Sequence, residues 1–303
     1  GSGPHLAQVV SPHKTFECLK AAVGHGAGEY AIFNVANLRE LVLGIGASAD
    51  MAWRMEGFDP DAWMESWVGE RFSSRRAEIA NAYHVYFNAW QIHDEQGVPF
   101  LMDGQMFGMG NRELGAMAKQ LKSGKIGGGA SLETSRQAGA RLAETRAEAG
   151  RDDAFWKGLA DMHPRDLGRR ETIRRLAAQR AGLGLALLHA RASAAVLPGD
   201  EASFLEDNLV YQASIMARTC AWLENVLVAH EALDLGDGGA CVAALEAAAV
   251  AFEKIPELAK GYCRGKWEDW YRGCKKLNIS ATMDRTRAVL EQARGGAKEG
   301  DKP

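Results

Sequence analysis

The sequence predicts a mainly α-helical protein, a bundle of about eight to ten helices with one short strand near the N-terminus. Two observations carry this. From Asn37 onward, apolar side chains recur every three or four positions almost throughout, the spacing that lines one face of a helix. A single stretch, Glu29-Tyr-Ala-Ile-Phe-Asn34, has instead the brief apolar and aromatic character of a strand. One strand makes no sheet, so its ladder partners are expected upstream in a longer chain or on another molecule.

The elements follow in order. Thr15 to Val23 reads as a short helix, broken by Gly24-His-Gly-Ala-Gly28. After the strand, Leu38 to Trp53 makes one helix or two short ones. Asp59-Pro60 is an N-cap followed by proline at the first helical position, where a missing N–H costs nothing; the helix it opens carries Trp63 and Trp67 on one face. Ser73 or Ser74 caps a longer helix to about Asp94. Gly97 to Gly110, rich in Gly, Met and Phe, reads as a loop, and the helix after it reaches about Lys122 and stops at Gly127-Gly-Gly129. The apolar series Ile173, Leu176, Leu183, Leu187, Ala190 and Leu205, Leu209, Met216, Cys220, Leu223, Leu227 each mark one helical face. The turn Leu197-Pro-Gly-Asp200 between them makes the pair antiparallel neighbours. Ala240 to Ile255 is a helix of small residues suited to close packing, and Ile279 to Gln292 is the last, before a polar tail from Gly295 to Pro303.

Composition narrows the function classes. Hydrophobic residues make up 47% and charged residues 25%, as in a globular protein. A net charge of -3 gives no general attraction to nucleic acid, so none is expected as a partner. No run approaches the roughly 18 uninterrupted apolar residues of a membrane span. The five cysteines are scattered without a CxxC and read as free thiols, buried where their neighbours are apolar. The chain opens on Gly-Ser-Gly-Pro, with neither Met nor a leader's charged and apolar regions, so its compartment is not readable from this end; a parent protein with an upstream signal is secreted or periplasmic.

Cofactor motifs fail one by one. Gly44-Ile-Gly46 lacks the third glycine of a dinucleotide loop, and Gly261 to Lys266 has neither the spacing nor the Ser or Thr of a phosphate loop. His230-Glu231 lacks a second histidine, and the eight histidines show no clustering, so no cofactor and no metal are expected. Among carboxylates, Asp103 stands out because its Gly- and aromatic-rich surroundings resemble a site-bordering loop; the alternative is a turn-forming aspartate. Glu206 and Asp207 sit where a helix N-terminus favours negative charge. The densest segment is Gly265 to Ile279, which packs Trp267, Trp270, Tyr271 and Arg272 among three lysines. Sugars lay their C–H faces on such rings and give their hydroxyls and carboxylates to Arg, Asn and Lys. An aromatic lock on the last helix is the competing reading of the same residues.

Three stretches together resemble the region after the catalytic barrel of the α-glucuronidase-type glycoside hydrolases of family 115. They are Tyr30-Ala-Ile-Phe-Asn-Val-Ala-Asn-Leu-Arg-Glu40; Asp50-Met-Ala-Trp53 with Phe58-Asp-Pro and Trp67-Val-Gly-Glu-Arg-Phe72; and Gly265-Lys-Trp267. The resemblance implies that residues 1–36 end a (β/α)8 barrel or form a linker, that 37–126 and 131–294 are the helical region and bundle behind it, and that 295–303 is a disordered tail. It places Asn34 and Asn37 at the rim of a sugar pocket, Arg39 against a uronate carboxylate and Trp53 at the border, with the main catalytic carboxylates on absent strands. The partners it implies are a carbohydrate substrate and the upstream barrel of the same protein. Two other readings stand beside it: a free-standing all-α module binding a glycan or protein, and an all-α enzyme using Asp103 with His93 or Glu95.

Overall fold

The computed structural model describes residues 5–35, 38–90, 101–124, 168–268 and 277–300, and all regular structure among them is helical. Helix α1 (Pro12–Gly24) starts where the Ser11 hydroxyl accepts from the Lys14 amide, with proline at the position that needs no donor. Helices α2 (Val42–Trp53) and α3 (Pro60–Arg71) follow; Asp59 caps α3 by accepting from the amides of Asp61 and Ala62, as the Asp-Pro pair predicts. An aromatic row then runs through Phe16, Phe58, Trp63 and Trp67 to Tyr83 of α4 (Arg76–Ala89), each ring centroid within 6.4 Å of the next.

Helix α4 does not begin on a serine. Arg75 precedes it at φ 56° with no side-chain cap, and the Ser73 amide is taken instead by Glu201 at 2.9 Å. The glycine-rich stretch is a further correction: α5 (Asp103–Ser123) starts inside the expected loop. Gln105 accepts from the Met102 amide at its start, and Gly110 lies so close to the buried Trp222 that a Cβ there would meet the indole at 2.2 Å. Gly110 serves helix packing, not a turn. Gly124, at φ 63°, ends α5 ahead of the expected glycine run, which lies outside the described residues together with 91–100.

The second half contains the core. Helix α6 (Gly168–Ala194) packs on α4 and on the long α8 (Tyr211–Asp234), which in turn meets α5 and α9 (Gly238–Tyr262); α10 (Ile279–Gly300) closes against α9 and α5. Helix α7 (Gly199–Leu205) runs into α8 through a five-residue π-helical turn, Glu206–Val210. Trp222, Phe107 and Phe252 interlock at the centre, with ring centroids 5.1 to 5.9 Å apart. Helix α10 runs past Gln292, where the periodicity places its end, to Gly300.

The expected strand is absent. Residues 30–35 take no regular structure, and Tyr30 and Ile32 are 82% and 84% exposed. The physical reason is that among the described residues no neighbouring strand takes its N–H and C=O groups.

Candidate functional site

Backbone hydrogen bonds anchor the region. Residues 5–10 form a coil that is mostly buried, with Leu6, Ala7 and Val9 in the core. Such a coil must find partners for its amides. Asp103 Oδ2 accepts those of His5 and Leu6 at 2.6 and 2.5 Å, and Oδ1 accepts that of Gly104. Burial pushes the Asp103 carboxyl above its ordinary value, while those three amides and His5 pull it down without cancelling the effect. Asp103 is therefore a fully buried clamp at a helix start, and it faces no open loop. Gln212 adds a second tie: it accepts from the Gln8 amide at 2.7 Å and donates to the Glu40 carbonyl at 2.8 Å.

That tie brings Arg39 to the π-helical turn. Its guanidinium lies 2.9 Å from Asp207, and Arg264 reaches the same carboxylate oxygen at 3.0 Å. The Arg39 guanidinium also sits 6.0 Å from the centroid of Trp267, which occupies a short 3-10 turn (Gly265–Trp267). Thus Arg39 and Trp267, distant in sequence and both expected in a site, do meet. Arg39 is buried, and its Nη1 has no hydrogen-bond partner among the described residues. Beside this group, Glu206, Arg218, Lys254, Glu257, Tyr262 and Arg264 line an open cleft of about 410 Å³.

Other expected residues stand apart from this group. Asn34 is exposed on the irregular segment. Trp53 is 92% exposed at the end of α2; its neighbour Met51 is buried and Asp50 accepts from Trp63 Nε1 at 2.7 Å, which fixes the helix that presents the indole. Asn37, Trp270, Tyr271 and Arg272 lie outside the described residues, as do His93 and Glu95.

A second group was not legible in the sequence. His13 Nε2 lies 3.0 Å from Asp61 Oδ1 and His84 Nε2 lies 3.9 Å from the same oxygen, so two histidines do converge. They border a cavity of about 330 Å³ whose apolar side is Met64, Phe87 and Trp90. Seventy residues separate the two imidazoles in sequence, roughly, and only the packing of α1, α3 and α4 joins them. Imidazole nitrogens and a carboxylate at the edge of a cavity can donate to and accept from hydroxyl groups. No group among the described residues has the ligand arrangement of a metal site.

Among the described residues no helix is long and apolar enough to cross a membrane. Residues 3–95, about a third of the chain, match the family model described as Glycosyl hydrolase family 115. No curated protein and no solved structure matches the chain.

Proposed function

We propose, on the premise that residues 3–95 carry the sequence of glycosyl hydrolase family 115, that this chain is the helical portion of such a hydrolase and packs behind its catalytic barrel. In this reading residues up to 36 complete the barrel, the helices after them form the supporting bundle, and the chain alone is inactive. One observation carries it. Tyr30, Ile32 and Phe33, strand-like in composition, stand exposed without a ladder, and Leu38 and Trp53 are further exposed apolar side chains within the family-matched region. A parallel strand bringing its own sheet is the occupant that satisfies both the backbone and the side chains.

On this reading Asn34, Asn37 and Trp53 border the sugar pocket. The same reading makes Arg39, buried here and held by Asp207, the partner of a uronate carboxylate. The substrate class is a glucuronosyl-bearing polysaccharide, and the acid and base carboxylates come from the barrel. The test joins the chain to its native upstream coding region and assays release of glucuronic acid from a glucuronoxylan. The expected result is activity in the joined protein, none in this chain alone, and loss of the joined activity in Ile32→Asp. Hydrolysis by this chain alone, or an Ile32→Asp protein as active as its parent, would sink the proposal.

A binding module is the second reading, favoured by the His13, Asp61 and His84 cavity, whose volume suits one sugar ring. Titration calorimetry with neutral and acidic oligosaccharides tests it, with His84→Ala as the control that removes binding.

A further inference from the structure

Outside the family-matched region, the last turns of α9 line the cleft of about 410 Å³ that the proposed function leaves unused. Lys254, Leu258 and Tyr262 recur every four residues, so one face of the helix forms its wall. The Tyr262 ring is fixed there by the buried Tyr211, with ring centroids 4.4 Å apart. Gly261 lies beside it, and a Cβ at that position would meet nothing within 4 Å. The missing side chain keeps the wall open next to the aromatic ring.

The charges in the cleft are paired with one exception. Lys254 holds Glu257 at 3.0 Å, and Arg264 holds Asp207 at 3.0 Å and Glu206 at 3.7 Å. Arg218, exposed on α8, pairs with no carboxylate among the described residues. Three cations and two carboxylates line the cleft, which leaves one positive charge in excess.

We propose that this cleft binds a hexuronate, with its carboxylate on Arg218 and its ring against Tyr262. Each part of the ligand answers one feature of the wall. A guanidinium fork matches the two oxygens of a carboxylate. The C–H face of a sugar lies on an aromatic ring, while Glu206 and Glu257 accept from hydroxyls and Lys254 donates to them. Other small anions and sugars fit less well. A phosphate dianion meets two carboxylates for one unpaired cation, a neutral sugar leaves Arg218 unanswered, and an aromatic acid offers the carboxylates no donor. The site lies within residues 206–264, so it does not rest on the barrel reading, and the ligand binds this chain alone.

NMR titration of the isotope-labelled chain with glucuronate, glucose, acetate and inorganic phosphate tests this, read at the Gly261 and Tyr262 amides. The expected result is saturation by glucuronate with a dissociation constant on the order of 1 mM, weakening with added salt. Glucose, acetate and phosphate each bind at least about tenfold more weakly. Arg218→Gln weakens glucuronate by about tenfold, and Gly261→Leu, which fills the cleft, removes saturation. Both positions are exposed, so circular dichroism and the thermal midpoint stay as in the parent. His84→Ala, in the other cavity, leaves glucuronate binding unchanged. Glucuronate binding no tighter than any of the other three ligands, both cleft variants binding like the parent, or loss of binding in His84→Ala overturns the proposal. None of these outcomes touches the barrel reading, whose test is the activity of the joined protein.

Discussion

Asp103→Ala tests how the N-terminal coil is held. The substitution strands two buried amides, His5 and Leu6, that share one carboxylate oxygen at 2.6 and 2.5 Å. Each stranded buried donor costs about 1 to 3 kcal/mol, or roughly 2 to 6 kcal/mol for the pair. The Gly104 amide adds less, because it lies at a helix start where water can replace the carboxylate. Against this, the carboxylate is itself costly to bury, as the upward push on its pKa records, and the alanine protein no longer bears that cost. The net expectation is a loss of about 2 to 4 kcal/mol in urea unfolding, with hydrogen exchange at Leu6 and Ala7 accelerated more than in the core. Asp103→Asn keeps an acceptor and loses less. The sign with pH follows from the direction of the shift. A carboxyl raised on folding contributes most below its ordinary value, and that contribution is lost as pH rises from there through the raised one. Parent stability therefore declines over that interval relative to Asp103→Asn. An alanine protein within about 1 kcal/mol of the parent, with Leu6 exchange unchanged, would refute the clamp.

Other predictions need less working. A Cβ at Gly182 meets the Cβ and Cα of Ala89 at 2.7 and 2.9 Å, so Gly182→Ala pries α6 from α4 and costs about 1 to 3 kcal/mol by thermal unfolding; Gly184→Ala, with open space around it, costs nothing and gains a few tenths. The His230 imidazole, 2.6 Å from Glu113, and the Arg169 guanidinium hold the Glu113 carboxyl below its ordinary value although burial opposes them. A lowered carboxyl contributes its stability above its ordinary value of 4.5 and loses it as pH falls through the folded one, so Glu113→Gln flattens the acid limb of the stability profile measured below about pH 5. Burial pushes the Cys220 thiol up to about 12 and that of Cys241 to about 11; a thiolate reagent at neutral pH should modify exposed Cys18 and leave both intact until the protein is unfolded.

What could be read in the sequence was local. Asp59-Pro60 announced α3 because a cap and its helix lie within four residues, and the periodic series of α6 and α8 survived because a helix face is a property of one segment. Glycine misled at residues 104 to 110: the same residue that loosens a loop also lets a helix approach Trp222, and only the partner decides which. Ser73 was a plausible cap whose amide was claimed by Glu201, 128 positions away. For the same reason the His13 and His84 pair carries no sequence signal, whereas Arg39 and Trp267 each stand out in the sequence and only the fold joins them. The aromatic and apolar run at Tyr30 to Phe33 has the composition of a strand and takes no regular structure, because a strand depends on a sheet that the described helices do not supply.

The π-helical turn at Glu206–Val210 has a consequence for insertions and deletions. It holds one residue more than an α-helical path between α7 and α8 requires, so the two helices run on as one rod whose lettering slips by a position at the join. Removing one residue there would let the turn relax into an α-helical one, and the helices on either side would keep facing as they do, because the extra residue is taken up within the turn itself. Phe204, ahead of it, would stay against Trp67 and Phe72. Variants of this chain can therefore lose a residue of this turn, other than the Asp207 held by Arg39 and Arg264, more easily than they can gain one.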